Sequence, residues 1–354
     1  KLLYVIAGNQ GRGGIPIPTD NFNGINVAYS TQIDGRFTRV DYANLSSEPD
    51  FPPFRGGRPE SNVGARRSIN LVAPGSDIEM FDPDGFRILS SGTSFAAPHV
   101  VATVALLQEY GDRQIRDAGW TLDARQPMVT KAVLLNSADK LQDSGDGLLL
   151  GMARTLLDET NQTWVDGDAY RDPAIPLHSE LGTGHLNAFR AYQQFSAGAY
   201  SVGESKLGMI PAVGWAYDAV ESELPPRDLP ETATETLVKD YVFAQPLVAG
   251  SYLSATLTWE RQVVLNDQNG NGLYDDGESF SDRGLNNLDL YLLPADSNNL
   301  ADSIWSSVSE VDSVEHIFRQ IPQTGQYKLR VVYRQRVNDD LAQRFALAWW
   351  GVTE

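Results

Sequence analysis

The chain of 354 residues contains no cysteine, which removes disulfide stabilisation and thiol redox chemistry from consideration while leaving the compartment open. Basic residues are scarce as well: 28 Lys and Arg stand against 46 Asp and Glu, for a net charge of −18. That balance opposes nucleic acid and anionic membrane as partners and suits a soluble protein in a salty or calcium-rich medium. No apolar run approaches the roughly 20 residues that a membrane-spanning helix needs. Histidine occurs only four times, which narrows the choice of a general base to four positions.

What is present suggests two domains. The length exceeds one ordinary core, and 42% apolar with 21% charged residues is normal for a globular protein. Leu2 to Ala7, Ile25 to Tyr29 and Ile69 to Val72 read as buried strands. A helix is expected from Ser94 to Tyr110, stopped by Gly111, and a second from Pro127, a favoured first-turn residue. A short third helix follows Gly182–Ala188. Alternation of strands and helices predicts an α/β sheet covered by helices on both faces. Two segments, Asn44 to Ser68 and Leu141 to Pro176, read as polar surface loops.

After Ala197 the pattern changes to short β-rich runs: Leu237 to Phe243, Tyr252 to Trp259, Leu288 to Leu293, Tyr327 to Tyr333 and Phe345 to Trp350. Turn residues separate them, as in an antiparallel β-sandwich or jelly roll. The expected division is 1–198 and 199–354, with the boundary in Gly198 to Ser205.

The most informative stretch is Gly92-Thr93-Ser94-Phe95-Ala96-Ala97-Pro98-His99, which runs into the apolar Val100 to Leu107. It predicts a tight turn that delivers Ser94 to the first turn of a buried helix. Unpaired backbone N–H groups and the positive end of the helix dipole converge there. A nucleophile whose substrate becomes an oxyanion is well served by such a position. The match to the Gly-x-Ser-x-Gly elbow of esterases is incomplete, because Ala96 stands where the second Gly belongs.

The stretch resembles the serine motif of the subtilisin-like serine peptidases. Other segments resemble that family in the same chain order: Val5-Ile6-Ala7-Gly8-Asn9-Gln10-Gly11, Ile25 to Ala28, Ile69-Asn70-Leu71-Val72-Ala73-Pro74-Gly75, Lys131 to Ala138 and Gly182 to Ala188. The resemblance implies a three-layer parallel-sheet domain, incomplete at its N-terminal side, with Ser94 as nucleophile and Asn9 in the oxyanion hole. Ala7 and Gly8, with little side-chain bulk, would form the rim of the substrate pocket. The sandwich after residue 198 resembles domains appended to many secreted members of the family.

The family's triad Asp and His lie upstream of its oxyanion Asn, and here eight residues precede Asn9. The four histidines do not replace them. His99 sits five residues after Ser94 on the same helix, so the two side chains point about 140° apart. His178, His185 and His316 belong to an insertion, a structural motif and the β-rich part. Because Lys1 opens directly in a strand-like run, the chain is expected to continue a longer polypeptide whose upstream segment supplies Asp and His. Alone, the chain is expected to be inert.

A second motif lies in the β-rich part. Asp267-Gln268-Asn269-Gly270-Asn271-Gly272-Leu273-Tyr274-Asp275-Asp276-Gly277-Glu278 satisfies the EF-hand loop pattern. Asp267, Asn269, Asn271, Asp275 and Glu278 offer side-chain oxygens, Leu273 a carbonyl, and Gly272 the sharp turn. Strand-like flanks predict a structural calcium ion between strands. Three carboxylates imply an affinity of about 10⁻⁴–10⁻³ M, which points to an extracellular or cell-surface setting. The expected function is secreted endopeptidase action on protein or peptide substrates. The competing reading is an inactive adhesion or scaffold module on the same fold.

Overall fold

The computed structural model describes residues 2–8, 21–42, 66–200, 207–221, 237–338 and 342–354. The first part holds strands β1 (Val5–Ala7), β2 (Ile25–Ile33), β3 (Arg36–Tyr42), β4 (Leu71–Pro74), β5 (Ile78–Phe81) and β6 (Arg87–Ser90). It also holds helices α1 (Thr93–Asp117), α2 (Pro127–Asn136) and α3 (Ala188–Ser196). β1, β2 and β4 are parallel, with Val27 opposite both Ala7 and Leu71. β3 folds back antiparallel on β2. Side chains alternate across this sheet as the pleat requires: Ile25, Val27, Leu71 and Ala73 pack with α1 and α2, while Ala28 and Val72 face the other way.

Helices do not cover that other face. Among the described residues it is packed by the irregular segment 141–181, whose Leu150, Met152, Leu156, Trp164, Ala169 and Leu181 are buried. The stretch from Leu141 to Pro176 is therefore a structural strap rather than a surface loop. Its backbone is satisfied locally. The Asp143 carboxylate alone accepts N–H groups of Gly145, Gly147, Leu149 and Gly151.

Two helix boundaries differ in an instructive way. α2 begins at Pro127, as expected, but α1 passes through Gly111 to Asp117. Gly111 is buried, and a Cβ there would lie 3.4 Å from the Phe195 ring. Glycine costs about 1 kcal/mol in a helix interior; here it lets the aromatic side chain of α3 pack closely, which offsets that cost.

The second part holds β7 (Leu207–Ile210), β8 (Val213–Glu221), β9 (Val238–Phe243), β10 (Tyr252–Trp259), β11 (Gln262–Asn266) and β12 (Ser279–Gly284). It continues with β13 (Asn287–Pro294), β14 (Trp305–Ser307), β15 (Val314–Gln320), β16 (Tyr327–Gln335) and β17 (Ala342–Trp350). One antiparallel sheet has the order β15-β10-β17-β8; a second, β14-β13-β16-β9-β7, is antiparallel except for the parallel pair β7 and β9. Leu253, Leu257, Leu347 and Trp349 of the first sheet share one core with Tyr241, Leu290, Leu329 and Val331 of the second. β11 and β12 form a separate ribbon.

The two parts are not separated by a gap in packing. All ten residues of α2 are buried, and α2 packs against β10 and β17. Trp215, Val314, Ala346 and Ala348 belong to the same apolar cluster as α1 and α2. Hydroxyls seal this boundary: Ser254 Oγ and Thr256 Oγ1 donate to Asn136 Oδ1 at 2.9 and 3.1 Å, and Thr258 Oγ1 donates to the Met128 carbonyl at 3.0 Å. Among the described residues no helix is long and apolar enough to cross a membrane.

Candidate active site

β1 and β4 flank β2 in parallel, so their carboxyl ends lie at one edge of the sheet, where open α/β sheets place ligands. Gly8 follows β1, is buried, and donates its N–H to the Val27 carbonyl at 2.8 Å. Ala7, before it, is half-buried against the core. Asn9, the expected oxyanion donor, lies outside the described residues.

Gly75 follows β4, and the chain leaves it through the β5–β6 hairpin and returns at Gly92. There the Gly92 N–H donates to the Gly75 carbonyl at 2.8 Å. A Cβ on Gly75 would overlap Tyr29 Cβ and sit 2.8 Å from the Gly92 carbonyl oxygen, so only glycine allows this approach. A second clasp lies one residue further out, where Asp77 N–H donates to Ser91 Oγ at 2.8 Å.

Gly92 is the N-cap of α1, with φ 147°. Ser94 is the second residue of the helix and is exposed, while Thr93 before it and Ala96 and Ala97 after it are buried. Phe95 and Ala96 N–H groups return to the Gly92 carbonyl at 3.0 and 3.3 Å. The Ser94 N–H has no acceptor among the described residues. Ser94 is thus an exposed residue in the first turn, at the positive end of a 25-residue helix. Chemically this sets a hydroxyl beside a helix-start amide, the arrangement that a nucleophile and an oxyanion donor require.

No histidine joins it. His99 Nδ1 is hydrogen-bonded to the Phe95 carbonyl at 2.9 Å, within its own helix. His185 is buried, with Nδ1 on the Leu186 carbonyl at 3.0 Å and Nε2 on Ser30 Oγ at 2.9 Å; burial, aided by the charge of Arg154, pushes it down to about 3. His178 accepts the N–H groups of Glu180 and Leu181 on Nδ1, and burial lowers its pKa despite nearby Asp158. His316, paired with Thr256, is held well below the usual imidazole range by burial. His178, His185 and His316 are thus neutral packing, and His99 is engaged within its own helix.

Residues 2–153 match the family model of the subtilases. This segment belongs to the subtilase family. An intracellular serine protease of Paenibacillus polymyxa is 32% identical over 90 residues, which make up 24% of this chain and 26% of that protein. The chain thus spans about a quarter of that curated relative. Among solved structures, a prenylagaramide maturation protease is 23% identical with a TM-score of 0.32, over 54% of this chain and 50% of that one. The pre-peptidase C-terminal domain of a Bacillus anthracis collagenase is 8% identical with a TM-score of 0.25, over 40% of this chain and 93% of that one.

Beyond the subtilase segment, the 267–278 loop connects β11 to β12. Asp267 accepts N–H groups of Asn269, Gly270 and Gly272, which hold its carboxyl below the usual range, the Gly272 contact most. Asp275 Oδ2 accepts the Asn269 and Asn271 amides at 2.6 and 2.7 Å, and Glu278 accepts N–H groups of Gln268 and Asp275. The loop is exposed, and Gly272, at φ 74°, makes the turn that the pattern demands. Among the described residues no three carboxylates or histidines are gathered as a metal centre. The oxygens of Asp267, Asn269, Asn271, Asp275 and Glu278 and the Leu273 carbonyl surround one short loop, and ion binding there requires the two Asn amides to rotate their oxygens inward.

Sequence reasoning missed the hairpin that precedes Ser94. Its signal was present: Asp82-Pro83-Asp84-Gly85 is a turn sequence between two apolar runs.

Proposed function

We propose that the chain is the nucleophile-bearing part of a subtilisin-like serine endopeptidase. The observation that carries this reading is Ser94, exposed at the start of α1, at the carboxyl edge of the parallel strands, with no acceptor for its N–H among the described residues. In the proposed reaction Ser94 Oγ attacks the scissile carbonyl carbon and gives its proton to an imidazole. The oxyanion is held by the Ser94 N–H and the Asn9 carboxamide, beside a rim formed by Ala7 and Gly8. Collapse expels the amine, which takes that proton back, and water then releases the acyl group by the same route.

The imidazole and its orienting carboxylate come, in this reading, from an upstream segment of the same protease, and the chain alone is inert. Two features support a missing neighbour. Among the described residues β1 pairs only with β2, and Leu2 and Tyr4 are 77% and 65% exposed. Beside them lies a groove of about 1150 Å³, bordered by Phe22, Met128, Arg261, Val263 and Arg344 from both parts of the chain.

The two sheets after residue 207 read as a β-sandwich. Its 267–278 loop is proposed to hold a structural calcium ion through Asp267, Asn269, Asn271, Leu273, Asp275 and Glu278. An ion bound at millimolar affinity suits an extracellular or cell-surface protein, although the Paenibacillus relative is named as intracellular. Hydrolysis of a denatured protein substrate by the full-length protein tests the central reading. Ser94→Ala should abolish it, and activity retained in that variant would exclude Ser94 as nucleophile.

A further inference from the structure

Where the second part meets the first, strand register sets three side chains in a row. Ser254 of β10 lies opposite Trp350 of β17 on one side and Phe318 of β15 on the other. Directly opposed side chains share a face, and neighbouring strands are about 4.8 Å apart, so the row spans roughly 10 Å. Each member meets a polar group of the first part. The Arg190 guanidinium lies over the Trp350 ring at 4.6 Å, Asn136 Oδ1 accepts the Ser254 hydroxyl at 2.9 Å, and Lys140 Nζ stands over the Phe318 ring at 5.0 Å. Arg190 Nη1 also donates to the carbonyl of Ser137, the neighbour of Asn136, at 3.0 Å.

Asn136, Lys140 and Arg190 are at most 2% exposed. Among the described residues, Asn136 Nδ2 and Arg190 Nε and Nη2 have no hydrogen-bond partner. Lys140 Nζ reaches the Ala138 carbonyl alone, at 3.5 Å. Charge is unbalanced as well. Buried Asp139 is shared between Arg190 and Arg154, and it also accepts the Asn187 amide and the Ala153 N–H. Asp143, which acts on Arg190 from further away, is engaged by four backbone N–H groups. Two unpaired acceptors lie on the elements around the row, and both are neutral. They are Gln194 Oε1, one turn along α3 from Arg190, and His316 Nε2. The Thr256 hydroxyl is donated to Asn136, so His316 keeps its proton on Nδ1 and turns a bare nitrogen the other way. An unpaired buried cation is costly. Burial, with the Arg190 charge beside it, accordingly pushes Lys140 well below the usual lysine range.

We propose that Lys140, Asn136 and Arg190 form a buried site for one small monovalent anion, of the size and charge of chloride, at the boundary between the two parts. One such ion meets both needs. It accepts the Asn136 and Arg190 N–H groups and the ammonium protons, and its charge keeps Lys140 protonated. Arg190 and Lys140 against Asp139 leave one positive charge, which a single negative charge balances. Burial of all three side chains excludes phosphates and organic carboxylates. The ion then acts as a structural pin between the end of α2, α3 and the sheet of β10, β15 and β17.

The test uses the full-length protein in calcium-free sodium salts at equal ionic strength, with gluconate as the anion too large to enter. Chloride should raise the melting temperature along a saturating curve, by about 2–4 °C at saturation, and Lys140→Met should remove the rise. An equal melting temperature in chloride and gluconate overturns the proposal, and so does an equal chloride rise in the Lys140→Met protein. Crystals grown in bromide decide the matter without a variant. An anomalous peak should lie within hydrogen-bond reach of Lys140 Nζ and Asn136 Nδ2. Density for water alone at that place, or bromide at the surface as an adventitious ion only, overturns it.

Discussion

Asn136 and Ser254, 118 residues apart, are joined by a buried 2.9 Å hydrogen bond from the serine hydroxyl to the carboxamide oxygen. Asn136 closes α2 of the subtilase segment and Ser254 lies on β10 of the second part, so the contact crosses the expected domain boundary. Thr256 uses the same oxygen. The β-rich part is therefore a wall of the first core rather than a module tethered to it.

Cooperativity follows from that wall. The whole chain should melt in one transition, and truncation after residue 198 should leave α2 without its cover and give insoluble protein. Asn136→Ala should cost about 1–3 kcal/mol, since it orphans buried hydroxyls. Calorimetry that resolves two independent transitions would contradict the shared core.

The Gly75–Gly92 clasp makes a sharper local prediction. Gly75→Ala forces a methyl group against Tyr29 and the Gly92 carbonyl. The strain should cost about 1–3 kcal/mol. Displacing Ser94 by about 1 Å should slow its reaction by around 10²-fold. A folded variant with an unchanged rate would show that the clasp does not position the serine.

A pH dependence is built into the second part. Asp289 is buried, and burial raises its carboxyl to about 6 despite a hydrogen bond from Tyr291. The native state keeps a proton that the unfolded carboxyl releases near 4, so this residue's stabilising contribution is present at low pH and is lost as pH rises through about 4 to 6. Asp289→Asn should remove that slope, and its stability relative to the unsubstituted protein should rise by up to about 3 kcal/mol across the window. Urea denaturation at pH 3.5 and pH 7 measures it; parallel changes in both proteins would refute it.

Calcium should act on the β11–β12 ribbon. Its loop oxygens are engaged by loop amides, so the ion must displace those bonds, which limits affinity. Millimolar calcium should raise the melting temperature, and Asp267→Ala should abolish the rise. An unchanged melting temperature at millimolar ion would exclude the site.

Local signals were readable in the sequence, and tertiary ones were not. Pro127 starts α2 and Gly92 caps α1 because turn and first-turn chemistry are local. Five strands of the second part stood out as apolar runs. Gly111 read as a helix stop because nothing nearby in sequence announces Phe195, 84 positions away, that fills its missing side chain. The strap of residues 141–181 read as surface because its buried Leu150, Trp164 and Leu181 are spaced without period. Ser94 was legible from its neighbours, while the hairpin beside it was passed over because its apolar residues are exposed.

Ser94 is proposed to be an activated nucleophile when a segment that supplies His and Asp is present. Intact-mass and peptide-mapping mass spectrometry after fluorophosphonate treatment tests it most directly. The account predicts one adduct, on Ser94, in the full-length protein, and none on residues 1–354 alone. An unlabelled Ser94 in a longer protein that supplies a His and an Asp would contradict it.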